Sequence, residues 1–500
     1  AAGAAVALLD KGGNTDWQDQ IFRTGVSQNY NLGWGMNMKS TNVRLSGSYD
    51  DQQGIIRNSS LRRLTARANI SQKFLKDKLK FDIASTFSST KNQYPPLSNN
   101  AGYQGSLLGA ALQFSPTYPI YNPDGSFYQP GDQRNPSQML AYFDDNDRVT
   151  RFLNSISGTW NITTGLSYKV VLGLDNMKSE RIAFADPRLS SNAYGGQTSL
   201  STPNGISVKT HNNPIQNNGR TTKQNLDLRS TLVEHYLTYD KDLGKSNFNI
   251  VAGFSYQNFI TEYSQRIGWG LSKPVTAPTD VFIRDFDNFT NYVDLYPGYD
   301  KNELQSYFGR VNYSFNDRYF LTATVRADGS SKFGANNRYG VFPAFAAKWK
   351  MINEDFVKNS FINTWFSEFS LRANYGVLGS QDGLPSYGAV NRQFNYKDAN
   401  GADQNTLVQT GNPDLKWEEA ATTGAGIDLA TANNRLNITV DYFYTKRTNI
   451  LFNAPTPGGF APTSNWFINL DGYVINKGWE VSLGYKAIKG VKFSWDINYN

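Results

Sequence analysis

Residues 321–328, LTATVRAD, alternate strictly between apolar and polar side chains. Tyr319, Leu321, Ala323, Val325 and Ala327 fall on one side of this segment, and Thr322, Thr324, Arg326 and Asp328 on the other. A strand has a side-chain period of two, so the segment has one apolar face and one polar face. A loop rich in Gly, Ser and Asn follows, and a second strand returns through Val341 to Trp349. Such a pair has two possible homes. In a soluble sandwich the apolar face meets another sheet, whereas in a membrane barrel it meets lipid and the polar face lines a wet lumen.

The alternation recurs from Gln28 to the end of the chain. Val43, Leu45 and Tyr49 oppose Arg44, Ser46 and Asp50; Leu64, Ala66 and Ala68 oppose Thr65, Arg67 and Asn69. Leu371, Ala373 and Tyr375 oppose Arg372 and Asn374, and Leu436, Ile438, Val440 and Tyr442 oppose Asn437, Thr439 and Asp441. Long helical periodicity is hard to find, so the chain reads as all-β. Hydrophobic residues make up only 39% of the sequence, and no apolar run is long enough for a membrane-spanning helix. Barrel strands are short and half polar, so this composition leaves a barrel open. The 29 Tyr and 31 Phe suit aromatic belts at membrane interfaces, and they equally suit a carbohydrate-binding β protein.

The connections separate these readings further. Short polar turns fall at 76–78, 163–165, 244–246, 316–318, 433–435 and 489–490. Longer loops at 91–147, 181–221, 261–303, 380–416 and 451–472 alternate with them. All short turns therefore lie at one end of the strands and all long loops at the other, as in bacterial outer-membrane barrels. One link on the short side, 351–365, is longer than its siblings. The spacing predicts about sixteen strands from Gln28 onward, with a further candidate at 17–24. The expected architecture is a large transmembrane antiparallel β-barrel, part of the plugged 22-stranded class. Residues 1–16 would lead into it, and residues 17–500 would form a barrel incomplete at its C-terminal end.

Enzymatic and metal chemistry find little support. The chain has no cysteine and two histidines, His211 and His235, with no metal-binding spacing. A net charge of +7 is spread along the chain and forms no basic tract for nucleic acid. Asp144, Asp145 and Asp147 lack the Gly and terminal Glu of a calcium loop and read as solvated loop acids. Gly424 and Gly426 lie in a strand and form no phosphate-binding fingerprint. Two loops carry contact candidates for a substrate or a protein lid. One holds Tyr94, Tyr103, Tyr118, Tyr121 and Tyr128 among stiffening prolines. The other holds Trp269 and interleaves Asp285 and Asp287 with Tyr292, Tyr296 and Tyr299. Stacking rings with acceptors suit a sugar, and a self-packed loop would look the same. Arg44, Arg67, Arg310, Arg326 and Arg372 fall on the polar, lumen-facing side, where they would meet anionic solutes or pair across the wall.

Several motifs then point to a family. Residues 14–24 (NTDWQDQIFRT), 326–343 (RADGSSKFGANNRYGVFP), 371–379 (LRANYGVLG), 411–418 (GNPDLKWE) and 476–480 (NKGWE) occur in this order. Together they resemble the SusC/RagA family of TonB-dependent outer-membrane transporters of the Bacteroidota. The resemblance implies energy-coupled import of a bulky nutrient, an oligosaccharide or a peptide, across the outer membrane, with no cofactor. It also implies a SusD-like lipoprotein over the extracellular mouth, and contact with TonB through an N-terminal part outside these residues. Lipid and lipopolysaccharide would surround the barrel. Two rival readings remain at this point: a passive porin-like pore, and a secreted β-rich glycan-binding or adhesin module with its apolar faces buried between sheets.

Overall fold

The computed structural model of the protein describes residues 10–97, 106–130, 133–186, 188–189, 199–201, 207–209, 220–271, 289–397, 403–431, 434–456, 463, 465–490 and 493–500. Sixteen strands form one sheet in sequence order, from Ser27–Asn37 to Ser494–Tyr499, every neighbour antiparallel. The other described sheets are two small hairpins, Ser199–Ser201 with Ser207–Lys209 and Arg392–Lys397 with Asp403–Gln409.

Register carries the two faces seen in the sequence across the sheet. Leu371 stands opposite Trp349 and Ile427, Ile427 opposite Val440, and Val440 opposite Val481. Arg372 stands opposite Lys348 and Gly426, and Gly426 opposite Asp441. The apolar face stays open: Leu321 is 49% exposed, Val325 50% and Phe345 55%. Among the described residues no second sheet covers it, which removes the sandwich and its buried faces. A wide sheet with a bare apolar face is stable only where the solvent on that side is itself apolar.

The short turns use left-handed residues that fold tight hairpins. Lys76, Asp77, Asn316, Asp317 and Asn434 have φ between 52° and 68°. At Gly165 (φ 84°) a Cβ would lie 2.2 Å from the Asp240 carbonyl oxygen, so only glycine fits. The longer link at 351–365 holds two short helices, Asp355–Lys358 and Ile362–Trp365. Its anchor is the buried Glu354, which accepts from the Tyr319 hydroxyl (2.7 Å), Trp349 Nε1 (3.0 Å) and Arg318 Nη1 (2.9 Å).

Three expectations need correction. Residues 17–24 do not form a strand: Trp17–Ile21 is a helix, capped by Asp16, whose carboxylate accepts from the amides of Gln18 and Asp19. Trp17 and Ile21 share one face and are buried by residues of the long loop. The helix thus sits at the long-loop end. Second, much of the expected loop at 261–303 is strand, because Ser246–Leu271 and Phe289–Phe315 run 26 and 27 residues. A barrel strand crosses a bilayer in about 9–11 residues, so this wall stands far beyond the membrane. Third, Asp144, Asp145 and Asp147 lie in strand Phe143–Thr163, not in a loop.

Two hydrophobic clusters lie at the long-loop end, and Ile352 and Val357 are buried in the 351–365 link at the other end. One cluster packs Trp17, Ile21, Leu107, Phe114, Tyr118 and Met139. The other packs Phe333, Phe342, Leu384, Leu415 and Trp417.

Candidate functional site

The polar face carries a chain of ion pairs. Arg372 binds Asp428 through Nε (2.9 Å) and Asp441 through Nη2 (2.9 Å), while Lys348 reaches Glu368 (3.2 Å) and Asp428 (3.4 Å). Gly426 lies beneath this bridge: a Cβ there would sit 2.2 Å from Asp441 Oδ1 and 2.8 Å from Arg372 Nη2. Glycine is therefore what lets the ion pair cross the strand, and this explains a residue that fits no phosphate motif. Arg326 donates to Asp328 (2.6 Å) and Ser306 (2.9 Å) and lies 5.4 Å from the Phe308 ring. Arg44, Arg67 and Arg310 are exposed, and none has a carboxylate within ion-pair distance among the described residues. The lumen arginines thus divide into paired and free groups.

Sequence reasoning missed a second stretch of this face. Register places Leu153, Asp175, Ser230 and Phe259 side by side on four successive strands. With Met177, Leu228 and Leu232 they line a depression of about 380 Å³. Its rim is polar: Arg151 is bidentate on Asp175 (2.8 and 2.5 Å), and Gln257 donates to Ser230 (3.0 Å). No single strand announces this patch, because each contributes only one or two apolar residues on its polar side.

At the long-loop end the tyrosine candidates separate. Tyr118 is buried, edge-on to Phe114 at 5.3 Å, and Tyr128 packs half-buried against it at 5.3 Å. Tyr118 is core, because helix Leu107–Gln113 and the Trp17 helix close over it. Tyr121 is exposed and paired with Phe127 at 5.0 Å, at the tip of a small turn. Tyr94 lies under the Arg181 guanidinium at 4.9 Å, and its hydroxyl pKa is raised, first by burial and then by Asp147. Arg181 in turn is bidentate on the buried Asp145 (2.8 and 2.5 Å), and Asp147 accepts from Ser179 (2.7 Å). These acids are held by partners in the wall and not solvated as expected. Trp269, Tyr292, Tyr296 and Tyr299 lie on strands and not in a loop; Tyr299 is exposed. Tyr103, Asp285 and Asp287 lie outside the described residues.

The Phe333 cluster unites three of the sequence motifs. Phe333 and Phe342 from 326–343 meet Leu415 and Trp417 from 411–418, with Val377 from 371–379 against them. Trp417 Nε1 donates to the Arg338 carbonyl (3.1 Å), and Lys332 Nζ to that of Leu384 (2.8 Å). The segment after Ser380 is thereby fastened to the neighbouring hairpin.

Comparisons with known proteins agree with this architecture. Residues 172–500 match the family described as TonB dependent receptor-like, beta-barrel. The chain is 30% identical to the TonB-dependent receptor SusC of Bacteroides thetaiotaomicron, covering 97% of this chain and 47% of that protein. It is 29% identical to the TonB-dependent receptor P3 of Formosa agariphila, covering 97% and 46%. The solved structure of the RagAB peptide transporter superposes with a TM-score of 0.79 at 19% identity, covering 97% of this chain and 51% of that one. The chain spans about half the length of the curated relatives it matches. The alternating faces, the asymmetric connections and these matches converge: the chain belongs to the TonB-dependent receptor β-barrel family of the outer membrane, with SusC among the relatives it is similar to.

Proposed function

We propose that the whole protein imports a bulky nutrient, an oligosaccharide or a peptide, across the outer membrane with energy delivered through TonB. A SusD-like lipoprotein caps the mouth at the long-loop end. Residues 1–16 lead toward the barrel, and the remainder contributes its wall. The observation that carries this reading is the family match over residues 172–500, supported by long loops built into two packed platforms at one end. A passive pore would need the same wall but no coupling. The exposed Tyr121 and Tyr299 are the proposed contacts for the lid or the cargo, and the 380 Å³ depression is a proposed cargo contact inside. In the whole protein, uptake is expected to collapse when the proton gradient is dissipated. Undiminished uptake in de-energised cells would favour the porin. The lipoprotein is expected to co-purify, and deletions within 181–221 or 261–303 are expected to release it.

A further inference from the structure

On the apolar face of strands Leu436–Pro455 and Asn465–Lys489, residue types change in a fixed order toward the long-loop end. Ile438 with Leu483 and Val440 with Val481 come first, then Tyr442 with Trp479, then Tyr444 beside Lys477, and then Lys446 beside Ile475. The Tyr442 and Trp479 rings are 4.9 Å apart. An apolar band, an aromatic belt and then ammonium groups mark the passage from hydrocarbon to headgroups. Lys446 therefore stands at headgroup height in the leaflet on the long-loop side.

A cavity of about 820 Å³ begins at Lys446, between this hairpin and residues 412–416. The register breaks here: Thr448 faces Tyr473, but Ile450 faces Leu470. Asn449 (φ 52°) and Gly472 (φ 145°) take up the extra residues, which bends the strands and opens the space. Asn469 makes the cavity rigid. Its Nδ2 donates to the carbonyls of Lys416 (2.9 Å) and Asn449 (2.7 Å), and its Oδ1 accepts from the Lys416 amide (2.8 Å). The lining includes Lys416, Lys446, Tyr473, Asn412, Asp414 and Asp471. Lys446 Nζ lies 4.5 Å from the centre of the Tyr473 ring, and that ring is 61% exposed. Among the described residues, neither lysine has a carboxylate within ion-pair distance.

We propose that this cavity binds the phosphorylated sugar headgroup of a glycolipid in the surrounding leaflet, an inference that rests on the barrel spanning a membrane. The lysines meet the phosphate with charge-assisted hydrogen bonds. Tyr473 offers a face to the sugar ring, and Asn412, Asp414 and Asp471 accept its hydroxyls. The two carboxylates oppose a bare phosphate and suit a ligand that brings hydroxyl donors with its charge. The apolar band directly below receives the acyl chains, which is why the source is a lipid and not a free sugar phosphate.

The test uses the full-length transporter in detergent, with native mass spectrometry as the readout. Three probes are compared: diphosphorylated lipid A, lipid A stripped of its phosphates, and glucosamine 1-phosphate. Diphosphorylated lipid A is expected to be retained at least about tenfold more tightly than the stripped form, as charge-assisted bonds predict. The double variant Lys416→Ala/Lys446→Ala is expected to lose that difference. Equal retention of both lipids by the parent overturns the proposal, whether or not the variant folds. Retention of glucosamine 1-phosphate as tight as that of lipid A overturns the lipid source. Energy-dependent uptake by the double variant is expected to persist, so a failed headgroup site and a failed transport reading give different results.

Discussion

Leu371 and Arg372 are adjacent residues facing opposite solvents, so they carry the sharpest test at the residue scale. Leu371 shares the open face with Trp349 and Ile427, whereas Arg372 holds Asp428 and Asp441. An arginine placed on a lipid face near the bilayer midplane costs about 2–4 kcal/mol. Leu371→Arg is therefore expected to impair assembly of the full-length barrel. Leu371→Phe is expected to assemble normally, because lipid accepts a larger ring that a packed core would not. Equal harm from both would contradict the lipid-facing assignment, with the folded fraction read by heat-modifiable gel migration. Gly426→Val tests the other face: its Cβ would displace the Arg372–Asp441 bridge at a cost of about 1–3 kcal/mol. In Asp441→Asn, where the bridge is already weakened, the same substitution is expected to cost clearly less. Glu354 adds a pH dependence. Hydrogen bonds from Tyr319 and then Trp349 hold its pKa below the usual glutamate value. A lowered carboxylate pKa stabilises above the unfolded-state value, and this contribution is lost as pH falls through the folded value. Glu354→Gln is expected to flatten the acid side of the barrel's stability profile and to leave the neutral-to-alkaline side parallel to the parent.

At the scale of elements, the strands were legible and the platforms were not. A period of two is local, so LTATVRAD announces both its conformation and its faces, and the positive-φ turns around Asp77, Asn316 and Asn434 announce the hairpins. The Trp17 helix gives no such signal, since its five residues are too few to show a 3.6-residue period and its burial depends on residues about 100 positions away. Sequence separation likewise hides the Asp145–Arg181 pair, 36 residues apart, and the Leu153–Phe259 depression, which exist only once register joins separate strands. Strand length exceeds the sequence expectation where the extended chain continues beyond the membrane, as at Trp269 and Tyr299. The Phe333 cluster shows why three separated motifs belong together. Phe333→Ala removes a fully buried ring at about 3–5 kcal/mol. Its effect is expected to stay local, raising amide exchange in residues 381–391 and 411–417 while strand Tyr319–Ser330 keeps its protection. Loss of protection across the whole sheet would contradict a platform seated on an independently stable wall.

For the whole molecule, one sheet separates three solvents: lipid outside, water inside, and the cell exterior at the end where loops pack into platforms. The asymmetry of the connections and the direction of every strand depend on that assignment. Strand lengths of 20 to 27 residues between Phe143 and Phe315 raise one wall well above the 11 to 15 residues of the first four strands. The tall wall carries the 380 Å³ depression, which on the proposed import reading cargo from the long-loop end would meet before the membrane midplane. All of this reverses if the short turns face outward. The chain has no cysteine, so a single thiol introduced into it is a direct probe of orientation once any cysteine elsewhere in the full-length protein is replaced. On intact cells, cysteine at Asn122 is expected to react with a membrane-impermeant maleimide, while cysteine at Asp77, Asp317 or Asn434 reacts only after the outer membrane is opened. Labelling of the three turn positions on intact cells, with Asn122 protected, would contradict the assignment.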